Sequence, residues 1–290
     1  MIALLVTCLE SLCVYLDWLS FPFIIITIWC IKKHFYTKTA IAFLIVSILF
    51  IWAHYLEPQI IRVKQATIHQ QHIRADIILI SDLHLGFYKD ERFLQRVVDK
   101  INALKADYVV IAGDFSYKAN PDEYSKLYAP LAKINKPVYA VRGNHDYLYR
   151  RRFMPAILAR FNVQMIEGKM VDLGSYQLAG LADRLAAKDD ASFLRKADKS
   201  KPILVIAHNP DSSDKLASYN VPLLLAGHTH CGQVYLPFVD RLVIRSQYNY
   251  TCGYSTNMQV PVFITPGIGE DNLPLRLFNP PTISLLHLRP

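Results

Sequence analysis

Two hydrophobic patterns divide the chain. From Thr39 to Leu56, TAIAFLIVSILFIWAHYL carries no Asp, Glu, Lys or Arg, close to the roughly 20 apolar residues that carry a helix across the hydrocarbon core. Trp52 and Tyr55 stand near its end, where amphipathic rings favour the headgroup level, and Pro58 follows as a stop. Ile2 to Leu9 and Trp18 to Ile31 are also apolar but are interrupted by Glu10, Asp17 and Pro22. The pattern predicts a membrane anchor over 1–56, built as a helical hairpin whose second helix is 39–56. Residues 57–74 read as a linker.

Beyond Arg74 the period changes. Short β-branched runs at 77–81, 108–112 and 138–141 alternate with helical spacing at 91–104 and 122–134, and further strands are expected at 163–166, 177–181, 203–207, 221–226 and 282–288. Strands alternating with helices predict an α/β domain over 75–290. From Gln233 onward, Pro and Gly punctuate several short β-rich pieces.

Composition sharpens this picture. The 290 residues are 52% hydrophobic and 19% charged, which excludes a disordered chain. The formal net charge is +8, of which residues 1–56 contribute only +1. A basic soluble part suits an anionic substrate or an acidic membrane surface. Lys32, Lys33 and Lys38 before the second helix are matched by Arg62, Lys64 and Arg74 after it, so charge leaves the domain's side of the bilayer open. Five scattered cysteines make no disulfide scaffold, and Cys231 is expected to be a small buried side chain.

The chemistry sits at one place relative to the strands. Asp82 and His84 follow the first, Gly113 and Asp114 the second, Gly143, Asn144, His145 and Asp146 the third, His208 the next, and His228 and His230 the one after. In α/β sheets ligands bind at the carboxyl ends of strands, where loops converge. Five of the ten histidines fall on this rim. Nitrogen and oxygen donors without paired Cys point to a catalytic centre for Mn, Fe, Zn or a related ion.

The ordered set SDLH (81–84), GD (113–114), GNHD (143–146), AHNP (207–210) and GHTH (227–230) resembles the calcineurin-like metallophosphoesterase family, over roughly residues 75 to 290. GHTHCGQ and the Pro-Pro-preceded final strand look like its membrane-associated or exported bacterial phosphodiesterase branch. The resemblance implies a four-layer α/β/β/α sandwich and two divalent cations, with Mn expected and Fe or Zn as alternatives. It implies that Asp82, His84, Asp114 and His230 hold one cation and that Asp114, Asn144, His208 and His228 hold the other. His145 is then the histidine near the leaving group, with Asp146 accepting from its other ring nitrogen. The family often carries another acid soon after GD, where this chain has Phe115, Ser116 and Tyr117.

Arg142, Arg150 and Arg151 are candidates to grip phosphate oxygens. The expected activity is hydrolysis of a phosphodiester or pyrophosphate bond at a bacterial inner membrane. The partners are then the membrane and a phosphate-containing small molecule or lipid such as UDP-2,3-diacylglucosamine of lipid A synthesis, with no nucleic acid and no obligate protein. An exported phosphodiesterase or phosphatase and a non-catalytic metal-bound membrane scaffold are the competing readings.

Overall fold

Period-two alternation decides which face of each strand is buried, and here both faces are. The structure, a computed structural model, describes residues 24–33, 37–70, 73–147, 153–235, 246–256 and 260–290. Its helices begin with α1 (24–32) and α2 (Thr37–Ile51). The strands are β1 (Arg62–His69), β2 (Ala75–Ile80), β3 (Leu85–Gly86), β4 (Tyr108–Ala112), β5 (Ser116–Tyr117), β6 (Val138–Val141) and β7 (Val163–Met165). There follow β8 (Lys169–Asp172), β9 (Gln177–Gly180), β10 (Ile203–Ile206), β11 (Leu223–Ala226), β12 (Gly253–Ser255), β13 (Val262–Ile264) and β14 (Thr282–Arg289). α3 (Glu91–Ala103), α4 (Tyr124–Tyr128), α5 (Asn144–Tyr147) and α6 (Met154–Ala159) complete the helices.

Two six-stranded sheets result, in the orders β1-β14-β2-β4-β6-β7 and β12-β13-β11-β10-β9-β8. Ile77, Leu79, Val110 and Val141 of the first meet Leu178, Leu204, Ile206 and Leu225 of the second in a shared apolar layer. The alternate residues Ile78, Ile80, Val109 and Ile111 pack under α3, α4 and α6. On the outer side of the second sheet, Val205, Leu224 and Val262 are covered by Leu194 and Leu216. These come from 3₁₀ and irregular segments, so no long helix forms that outer layer among the described residues.

Local chemistry explains the helices. Asp90 caps α3 by accepting from Phe93 N at 2.9 Å, and Phe93, Leu94, Val97, Val98 and Ile101 bury one face. The single helix expected over 122–134 is broken into a 3₁₀ turn, α4 and a second 3₁₀ segment, with Pro121 and Pro130 near the start of the two 3₁₀ pieces.

The segment expected as a linker is part of the sheet. β1 pairs in parallel with β14 from Arg62↔Thr282 to His69↔Arg289. It is a largely exposed edge strand, so it lacks the apolar run that marks the central strands. Cys231 is also not an isolated buried thiol: it forms a disulfide with Cys252, 21 residues later, because the fold brings two loops together that no spacing rule connects. Among the described residues the free cysteine is Cys30.

The expected anchor is described in part. One continuous helical segment, Lys38–Gln59, is long and apolar enough to cross a membrane. Ile41, Phe43, Ile45, Val46, Ile48 and Leu49 are all exposed on it, and a helix apolar all round requires a non-aqueous neighbour. Residues 1–23 and 34–36 lie outside the described residues, and with them most of the expected first helix of the hairpin. The domain grips the helix end: Arg276 N donates to Ala53 O at 2.8 Å, Lys89 Nζ to Pro58 O at 2.8 Å, and Arg96 to the side chain of Gln59.

Leu225 is fully buried between the sheets. Leu225→Ala should cost about 2–5 kcal/mol through the cavity it leaves, read as a lowered urea midpoint with an unchanged slope.

Candidate metal centre

Three loops leaving the carboxyl ends of central strands, those after β2, β4 and β11, turn through left-handed backbone. Asp82, His84, Asp114, His228 and His230 all have positive φ, between 44° and 69°. Such a conformation costs an ordinary residue about 1–2 kcal/mol. It persists where the surroundings over-determine it, and such residues gather at functional sites. Packing leaves no alternative: a Cβ on Gly113 would lie 2.6 Å from Gly143 N, and one on Gly143 would collide with the Asp114 carboxylate. Hydrogen bonds then tie loop to loop. Asp82 N donates to Gly113 O, His84 N to Asp114 O, and His145 N to Asp114 Oδ1 at 2.9 Å.

These turns bring the donors together. The ligating atoms of Asp82, His84 and His230 lie within 4.8 Å of one another, as do those of Asp82, Asp114 and His208. Asp82 Oδ1 is 3.4 Å from His230 Nε2 and 3.9 Å from His84 Nε2. Asp114 Oδ2 is 3.2 Å from His208 Nε2 and 3.6 Å from His84 Nε2, so it reaches a histidine of each group. Asn144 Oδ1 and His228 Nδ1 each approach His208 Nε2, at 3.1 and 3.2 Å. His208 Nδ1 faces Ala112 O at 2.8 Å, which aims Nε2 at the carboxylates. The His84 ring is held instead by edge contacts with Tyr117 and His145.

The donor set fits cations. Asp82 Oδ1 is buried with no hydrogen-bond partner, while Oδ2 accepts from Ser81 Oγ and from His228 N. Burial pushes the Asp82 carboxyl up to about 6, against the pull of His208. Burial also opposes the Asp114 charge, yet His208 and its neighbours hold that carboxyl well below the usual range. His208 is correspondingly driven well up: burial disfavours its charge, and Asp114 and Asp82 overcome the penalty. The paired carboxylates thus present negative charge that cations are suited to balance. Burial holds His84 and His230 well below the ordinary imidazole range, the neutral form that ligates metals.

His145 lines a cavity of about 260 Å³ over this cluster, with Asp114, Asn144, His228, Leu185 and Leu273. The carboxylate facing its Nε2 is Asp271 Oδ1, at 3.5 Å. Asp146 accepts from Phe115 N at 2.9 Å and Gly143 N at 3.0 Å, pinning the GD and GNHD loops to each other. Phe115 itself is buried in the core where the family often has an acid.

The arginine candidates fare differently. Arg142 is committed to Glu167, with Nη2 at 2.6 Å from Oε2 and Nε at 2.9 Å from Oε1, and it stacks on Tyr147. The Nε and Nη2 edge of the fork is thus taken by Glu167. Arg150 and Arg151 lie outside the described residues.

Two site residues carry no motif signal. Asp271 and Arg276 come from the loop after β13, where Pro and Gly hide the strand-end position. Gln233 orients that loop, accepting from Asp271 N at 2.8 Å and donating to Leu273 O at 2.8 Å. Arg276 is fully buried, bonds the carbonyls of Gly269, Pro266 and Asn279, and places Nη2 3.4 Å from His230 Nδ1. Asp183, at the end of β9, obeys the same strand-end rule and is buried, which raises its carboxyl.

Residues 75–232 match the family model described as calcineurin-like phosphoesterase. A metallophosphoesterase of Helicobacter pylori J99 is 30% identical over 224 residues, covering 74% of this chain and 60% of its own. The Bacillus subtilis metallophosphoesterase YkuE is 30% identical over 258 residues, covering 82% and 89%. The UDP-2,3-diacylglucosamine pyrophosphatase LpxG of Chlamydia muridarum is 25% identical over 247 residues, covering 65% and 74%. The chain spans about 60% of the length of the Helicobacter relative. With its rim of aspartates and histidines and a family match over more than half its residues, the chain belongs to the calcineurin-like phosphoesterases.

Proposed function

We propose that this protein is a membrane-anchored hydrolase of phosphodiester or pyrophosphate bonds that works with two divalent cations. One observation carries the reading: Asp82 and Asp114 lie buried side by side, with His84 and His230 on one flank and His208 on the other. In this reading Asp82, His84, Asp114 and His230 hold the first cation, and Asp114, Asn144, His208 and His228 the second. When bound, the cations polarise the phosphoryl group and supply an activated water. Mn is the expected metal, with Fe and Zn as alternatives that the same carboxylate, amide and imidazole donors suit.

The chain's own groups do the rest. His145 stands over the cleft and delivers a proton to the departing oxygen, and Asp271 holds its ring in that direction. Arg276, by its charge, helps keep His230 unprotonated. Leu185, Val234 and Leu273 make part of the wall apolar, which suits a substrate with a greasy portion beside its phosphate. UDP-2,3-diacylglucosamine is the concrete candidate, supported by the name of the LpxG relative.

A second reading has its own support. The Cys231–Cys252 disulfide belongs in an oxidising compartment, since cytosolic reductants keep thiols reduced. It favours a domain outside the cytoplasm acting on extracytoplasmic phosphates. A C-terminal pair of reporters after Pro290 decides between them: an alkaline phosphatase fusion should be active and a green fluorescent protein fusion dark if the domain is exported. The reverse pattern restores the cytoplasmic nucleotide-lipid substrate.

Metal analysis of detergent-purified protein tests the centre itself. Asp114→Asn should lose most of its bound metal. His145→Ala should keep the metal and lose turnover of an aryl phosphodiester by on the order of 10²- to 10⁴-fold. Wild-type turnover in His145→Ala would remove His145 from the proton-donating role, and no turnover in the metal-loaded wild type would favour the non-catalytic scaffold.

A further inference from the structure

The end of the apolar helix and the metal cleft are joined by a single residue. Arg276 N donates to Ala53 O at 2.8 Å, while its guanidinium lies 3.4 Å from His230 Nδ1. The cleft therefore lies within one arginine side chain of the helix. The helix's aromatic end, Trp52 and Tyr55, is partly exposed at that level, as are Leu56 and Ile60.

The domain presents large apolar side chains on the segments that touch this end. Phe87 is 56% exposed and borders the same groove as His54, Tyr55 and Pro274. Phe278, 59% exposed, follows Arg276 by two residues, and Tyr235, 48% exposed, donates its backbone N–H to Leu277 O. The loop that carries Arg276 and Phe278 also carries Asp271 and Leu273 of the cleft wall. Cations accompany the rings. Lys118 Nζ lies 5.6 Å from the Phe87 ring centroid, and Arg92 and Arg96 border a groove with Phe87 and Gln59.

Exposed aromatics beside basic side chains, continuous with the aromatic end of a spanning helix, match the chemistry of a bilayer's headgroup layer. We propose that Phe87, Tyr235 and Phe278 form a collar that seats the mouth of the cleft against an anionic lipid surface, so that the substrate is an amphipathic phosphate taken from that surface. This rests on the membrane-anchored reading above. A water-filled gap between domain and bilayer would leave these rings exposed to solvent without compensation, whereas insertion at headgroup depth buries them.

Photo-crosslinking tests the collar without any need for turnover. p-Benzoylphenylalanine is placed singly at Phe87, Phe278, Ile45 or Lys105 in the full chain held in phosphatidylglycerol nanodiscs, and lipid adducts are read by mass after irradiation. Ile45 is an exposed apolar position inside the helix, and Lys105 is exposed before β4, at the strand end opposite the site loops. The proposal expects adducts at 87, 278 and 45 and loss of adduct at 105. Adducts at 45 with none at 87 and 278 overturn the collar and leave the anchor standing. Absence at 45 overturns the anchoring reading and this proposal with it.

Discussion

Two carboxylates in a dry cleft create a demand for positive charge that organises the rest of this molecule. Asp82 and Asp114 are almost wholly removed from water, and the cost of burying an anion falls only when something cationic stands beside it. Here imidazoles surround them, and the titration of each group is bound up with that of its neighbours. Burial pushes His84 and His230 down, whereas at His208 burial is outweighed by Asp114 and Asp82, which pull it up. A cation beside Asp114 would answer the same negative charge and leave the His208 imidazole neutral to ligate it.

Holding that arrangement requires backbone that is unfavourable taken alone. Left-handed turns at five site residues are kept in place by loop-to-loop hydrogen bonds and by glycines that let one loop touch the next. Asp146 illustrates the point. Its carboxylate accepts from two backbone N–H groups, and this fixes the relative position of the loops carrying Asp114 and His145. The sheets beneath, apolar on both faces, supply the rigid base from which these turns project.

Much of this was legible in the sequence, for identifiable reasons. Central strands such as Ile77–Ile80 and Tyr108–Ala112 are short, apolar and β-branched because both of their faces are covered, and that composition marks them without a structure. The residues that follow them inherit their place on the rim from topology. What escaped depends on contacts between distant segments. β1 is stabilised by pairing with a strand more than 200 residues later and so carries no strong pattern of its own. Cys231 meets Cys252, and Asp271 meets His145, only because loops converge. Arg142 looked available for phosphate because Glu167, its partner, is 25 positions away in sequence.

The attachment of the apolar helix has a further meaning for how this protein is built. Its final turns are not a tether ending where the enzyme begins: Ala53 and Pro58 supply carbonyls to Arg276 and Lys89, and Glu57 is buried among them. Trimming the chain to a soluble fragment would therefore remove part of the wall behind His230, and with it the acceptor that positions the arginine backbone. The end of the apolar helix and the cleft thus belong to one folding unit, joined through the two ends of Arg276.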